Sequence, residues 1–223
     1  MIIRDFNIAE SNLKFFVGIN QIKINFDKFL EEDELDNGET ALNRFFKLTE
    51  KIQNKNENLV IQFIKDRYIL NQDHIFTACY YSQKAFQQKK NISNKKNIEL
   101  LLYLATNRQI NKSIEAVGID YSDLVNNNLI FCIISQRDNV NEINNELLKI
   151  LNAEEIELTI NNQSDAKLNA IKEFFEISKN QLIPVLRSYE IKLKNSRINL
   201  NSISLALYDL ICEKMALLSL EKT

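Results

Sequence analysis

The chain is poor in the residues that punctuate backbones and build reaction centres: one His, one Pro and three Gly among 223 residues. A single histidine, His74, cannot supply a His-based metal site, and it has no neighbouring Cys or carboxylate constellation to work with. Cys79, Cys132 and Cys212 are odd in number and far apart, so they form neither a zinc spacing nor a disulfide framework. Each lies in an apolar stretch and reads as a buried free thiol, as suits a reducing cytoplasm. No apolar run is long enough to span a bilayer and no signal peptide opens the chain, so a cytoplasmic location is expected. There is no Gly-rich phosphate loop, HExxH, GxSxG or carboxylate pair backed by His. The expectation is a protein with no catalytic residues, no metal and no cofactor. Asn and Lys are abundant, which reads as an AT-biased genome and not as a functional signal. The net charge of -2 argues against a general polycation.

What is present is organised around Asn94 to Gly118, which reads as two helices meeting at a tight junction. Ile98, Leu101, Leu102 and Ala105 make one apolar stripe, and Ile110, Ile114 and Val117 a second. Between them Thr106-Asn107-Arg108-Gln109 fits a capping box, with Thr106 and Gln109 as its two members. Gly118 stands where the second helix would end. Arg108 then falls in a first helical turn, where free N–H groups and the dipole suit an anion such as phosphate.

Elsewhere strands and helices mix irregularly. Strands are expected at Met1 to Ile8, at Leu13 to Phe26 as a hairpin turning at Gly18 to Gln21, and at Leu59 to Ile64. Leu129 to Ile134 is an apolar run of the kind buried on both faces, and Ile156 to Ile160 alternates. Helical patterns cover Thr40 to Lys55, a segment capped by Asp73, Asp138 to Leu151, Ser164 to about Phe175, and a last helix capped by Ser202. Pro184 interrupts or starts a further helical piece, and Arg187 to Asn201 reads as a polar loop with some helix. The fold class expected is α+β, a mixed sheet packed with several helices in a single domain.

Charge is uneven. Lys84, Lys89, Lys90, Lys95, Lys96, Arg108 and Lys112 stand against Glu99 alone, so 84–112 carries +6 and the rest of the chain -8. Such a segment is either a solvated helix face or a nucleic-acid footprint. The last helix has two apolar stripes. Leu207, Leu210, Ile211 and Leu218 are assigned to the core, and Leu205, Tyr208, Met215 and Ala216 to a partner. Periodicity alone leaves open which stripe goes where.

LLLYLATNRQINKSIEAVGI resembles the signature of the PRPK-binding protein (TPRKB) family; MIIRDFNI opens the chain as its archaeal members open, DHIFTACYYSQKAF resembles its helix with His at the start, and ICEKMALLSLEK resembles its closing helix, which points to the archaeal type. The resemblance implies a non-catalytic subunit of the KEOPS complex. Such a subunit binds the atypical kinase/ATPase subunit and helps recruit tRNA by its 3′ CCA tail for threonylcarbamoyl-adenosine modification. Lys84, Lys95, Lys96, Arg108 and Lys112 are the candidate RNA contacts. Compared with the family pattern, 31–58 and 187–201 read as surface insertions, and Thr106-Asn107 stands where a Gly often precedes Arg108. The rivals are an adaptor without RNA contact and, from another class, an enzyme with a pocket near His74, Tyr103 and Arg108.

Overall fold

The computed structural model describes residues 1–25, 29, 38–189, 200–218 and 220. Its strands are β1 (Ile2–Ile8), β2 (Leu13–Ile24), β3 (Val60–Ile64), β4 (Leu129–Ser135) and β5 (Ala153–Ile156). Its helices are α1 (Gly38–Lys55), α2 (Gln72–Gln87), α3 (Lys96–Ala105), α4 (Ile110–Val117) and α5 (Tyr121–Asn126), followed by α6 (Val140–Ile150), α7 (Asp165–Phe174), α8 (Lys179–Ser188) and α9 (Leu200–Leu218). The architecture is α+β. Contacts divide it into two units, Met1–Lys65 with Gly118–Thr159, and Asp66–Val117 with Ile160–Thr223.

The first unit holds the sheet, ordered β1-β2-β4-β3 with β5 also paired to β2. Every pairing is antiparallel, where a mixed sheet was expected. The reason lies in the register: Ile64 at the end of β3 sits opposite Ile130 at the start of β4. The β3-to-β4 connection thus leaves and returns at the same end of the sheet, while β2 and β3, which run in the same direction, are kept from pairing by β4 between them. The β4 run is buried at all seven positions, as its unbroken apolar sequence indicates.

One face of the sheet carries Ile22, Ile24, Ile61, Phe63, Phe131 and Ile133, packed with Phe45 and Ile52 of α1, Leu124 of α5 and Leu147 of α6. The Phe45 and Phe63 rings meet edge to face at 4.6 Å. Full burial of a side chain of this size contributes roughly 1.5–3 kcal/mol. The 31–58 stretch is therefore more than a surface insertion, because Ala41, Phe45 and Ile52 within it are fully buried.

The expected hairpin at Gly18 does not form, and β2 runs unbroken through it. A Cβ on Gly18 would collide with Val140 Cγ1 and lie 2.8 Å from Met1 Sδ, so glycine lets α6 approach the sheet. The turn lies earlier, at Ala9–Ser11, and Asn12 closes it at φ 52°. Asn58, Asn127 and Asn152 also adopt positive φ. In a chain with so little glycine, asparagine takes four of the seven positive-φ positions among the described residues, because its short amide hydrogen-bonds locally there. The strand expected at 156–160 lies earlier, at Ala153–Ile156.

The described part of the second unit is helical. α3 packs against α2 and α4, and α9 packs against α2, α3, α7 and α8. Asn71, rather than Asp73, caps α2 by accepting from the His74 N–H at 3.0 Å. Ser164 caps α7, and Ser178 with Gln181 forms a capping box at the start of α8. Pro184 sits inside α8, and α9 begins at Leu200, before the expected cap Ser202. Most of the polar stretch expected between them, 190–199, lies outside the described residues.

Candidate functional site

The two helices of the central junction are present, but the junction is built differently from the expected capping box. Thr106 is the last residue of the α3 end, in the left-handed region at φ 46° and ψ 39°, with its N–H bonded back to Leu102 and Tyr103 carbonyls. The next helix begins at Ile110, and the turn leading into it is braced by Asn107. Its side-chain oxygen accepts from the Gln109 N–H at 2.8 Å, and its carbonyl accepts from the Ser113 hydroxyl at 3.1 Å. Both Thr and Asn can cap; the chain turns at Thr106, which leaves Asn107 positioned to face α4. Val117 ends α4 and Gly118 follows, without a left-handed φ.

A β-branched residue at positive φ is strained. Thr106→Gly is therefore expected to stabilise the protein by roughly 1 kcal/mol, read as a higher urea midpoint with an unchanged slope. A lower midpoint would show that the Thr106 side chain contributes more than its backbone conformation costs.

Arg108 is half-buried, and its Nη1 donates to the Leu218 carbonyl at 3.0 Å. Leu218 is the last residue of α9, so the guanidinium satisfies an open carbonyl at the negative end of that helix. A guanidinium has five N–H donors, so this bond leaves capacity for an anion.

The basic side chains fall into two groups in the second unit. Lys84 lies in the last turn of α2, Lys89 and Lys90 are exposed just beyond it, and Lys95 and Lys96 stand at the start of α3. The Lys96 ammonium lies 5.9 Å from the Phe86 ring centre. The connection is anchored by Glu99, fully buried, whose carboxylate accepts from the N–H groups of Ile92 at 2.9 Å and Ser93 at 2.7 Å. The one acid of the basic segment is thus turned inward, and the lysines remain outward. Arg108 and exposed Lys112 lie at the other end of α3. Ten residues of helix separate the groups, roughly 15 Å.

Ile110 and Ile114, expected to face inward, are each 39% exposed beside Arg108 and Lys112. The buried positions of α4 are Ser113 and Val117. Short helices with a polar inner residue defeat a reading that equates an apolar stripe with the core.

His74 is fully buried. Its Nδ1 accepts from the Leu70 N–H at 3.2 Å, and its Nε2 lies 3.1 Å from the Leu104 carbonyl, to which it donates in the neutral form. Burial, with Lys167 nearby, lowers its pKa to about 4, partly offset by the Leu104 bond. Tyr103 is also fully buried, and its hydroxyl has no hydrogen-bond partner among the described residues. Its ring stacks on Tyr81 at 6.1 Å. Desolvation, aided by Glu99, pushes its phenol up. Two fully buried side chains, one held neutral between backbone groups, do not present a reaction centre to a substrate. No cluster of three or more metal-ligating side chains occurs among the described residues. None of the described helices is long and apolar enough to cross a membrane.

On α9 the stripe assigned to the core is buried: Leu207, Leu210, Ile211 and Leu218. The stripe assigned to a partner divides. Leu205 is 44% exposed, Ala216 is half-buried, and Tyr208 is half-buried with its hydroxyl 2.7 Å from Thr77 Oγ1. Met215 is fully buried and belongs to the inner side, a correction of the sequence reading. It stands four residues after Ile211 and three after Cys212, so the helical period alone could place it on either side. Leu217, at 46%, and Leu220, at 64%, are exposed instead.

A protein-family model described as kinase binding protein CGI-121 matches residues 42–219. The match spans most of the chain, and the chain belongs to that family. No curated protein matches it.

Proposed function

We propose that this member of the kinase binding protein CGI-121 family is a non-catalytic, cytoplasmic KEOPS subunit. It docks on the atypical kinase/ATPase subunit and helps bring tRNA to threonylcarbamoyl-adenosine synthesis by its single-stranded 3′ CCA tail. The observation that carries the kinase part is the family match across 42–219. The exposed leucines of α9 support a docking face there. The RNA part rests on the two outward basic groups, Lys84, Lys95 and Lys96 at one end of α3, and Arg108 with Lys112 at the other. Spaced cations track a phosphate backbone, and exposed Ile110 and Ile114 offer apolar contact to bases.

The Arg108–Leu218 bond favours a second reading, an adaptor with no RNA contact, because it gives Arg108 a structural task. Lys95 and Lys112 separate the two readings, since both are exposed and their removal leaves the core intact. Lys95→Ala with Lys112→Ala is expected to weaken tRNA binding and to flatten the salt dependence by about 0.7 per lost phosphate contact. Removal of the CCA tail should abolish the remaining effect. An unchanged slope in a folded variant would favour the adaptor.

A further inference from the structure

The outer face of α9 has a definite charge pattern. Leu205 is exposed at one end, and Ala216, Leu217 and Leu220 lie toward the other. Between them, on the same side, stand half-buried Asp209 and exposed Glu213. Leu205, Asp209 and Ala216 fall within one narrow arc of the helix, with Glu213 at its edge, and exposed Leu220 follows in the turn beyond the helix end. From Leu205 to Ala216 the arc runs roughly 17 Å at the helical rise. The Tyr189 hydroxyl at the end of α8 donates to the Asp209 carboxylate, holding that carboxylate in place.

This pattern discriminates between occupants. An antiparallel pairing of two copies that sets Leu205 against Leu220 would bring Asp209 and Glu213 of both copies to the twofold axis. Like charges at the centre of a desolvated interface oppose association, so the face is unsuited to an isologous dimer. It suits a partner that sets lysine or arginine between two apolar contacts.

We propose that the α9 outer face binds the kinase through a basic centre on the kinase, flanked by apolar side chains that receive Leu205 and Leu220. The proposal rests on the kinase-docking reading above and adds the chemistry of the surface that meets it.

The full chain and the kinase subunit from the same genome are titrated together, with circular dichroism confirming that each variant is folded. Asp209→Lys with Glu213→Lys is expected to weaken binding at least tenfold, and Asp209→Asn with Glu213→Gln to weaken it less. Wild-type affinity should fall as salt rises. Leu205→Arg should also weaken it. If Leu205→Arg weakens binding while the double charge reversal does not, the docking face stands and the basic centre is overturned. If the kinase binds every variant equally, α9 is not the docking face. If the wild-type chain dimerises and Leu205→Arg makes it monomeric, a second copy occupies the face and the proposal fails. If the folded wild-type chain does not bind the kinase, the functional reading falls, and this inference with it.

Discussion

Met215→Arg is expected to unfold the protein at ordinary temperatures. Met215 is fully buried on the inner side of α9, among Leu207, Leu210, Ile211 and Leu218. A guanidinium introduced there would be a buried charge with no prepared partner, and such sites cost roughly 3–5 kcal/mol. That is a large part of the roughly 5–15 kcal/mol that holds a typical domain together. Leu205→Arg, about three turns earlier and 44% exposed, should change stability by less than about 0.5 kcal/mol. Urea denaturation of the two variants side by side checks the assignment of faces. Comparable stability of both would show that α9 buries neither face as described.

Stability should also fall in acid through His74. Its folded pKa is lowered to about 4 from an ordinary 6.5 by burial. Between those values the unfolded chain binds a proton that the folded chain refuses. The stabilisation is therefore complete above pH 6.5 and declines as pH falls toward 4, by on the order of 3 kcal/mol. Protonation would also put a proton on Nδ1, which now accepts from the Leu70 N–H. Carboxylates titrate in part of the same window, so the test is a difference. In His74→Gln, unfolding measured at pH 7 and 4.5 should show a smaller loss than in the parent. Equal losses would mean that His74 already carries its proton in the folded state.

The most legible parts of the sequence were those where a pattern has one physical solution. LIFCII at 129–134 has no polar face to offer water, and it became the central strand β4, buried throughout. The terminal helix was legible as an element because it is apolar around much of its circumference. Its faces were not, because Met215 lies at a boundary that packing against neighbouring helices decides. Thr106–Gln109 matched a capping-box pattern, yet the pattern cannot register that the chain reverses at Thr106 itself. With the turn there, Asn107 is the side chain that accepts from the Gln109 N–H, just before α4. Turn placement was hidden for a related reason. Glycine is the usual sign of a left-handed residue, and this chain uses Asn12, Asn58, Asn127 and Asn152 there. Its Gly18 serves close packing.

The basic segment illustrates the same limit at the level of function. Its sign and position were readable from residues 84–112. That Glu99 turns inward to hold Ile92 and Ser93, leaving the lysines outside, depends on contacts that only folding creates. The Arg108 bond to the α9 end joins residues 110 positions apart, and no local pattern announces it.

The central claim is that this chain binds the kinase subunit through the outer face of α9. Isothermal titration of the full chain into the purified kinase, with wild type and Leu205→Arg compared, tests it most directly. The account predicts saturable binding by wild type and at least a tenfold loss in a Leu205→Arg variant that unfolds at the same urea concentration as its parent. Undiminished binding by that variant would contradict it.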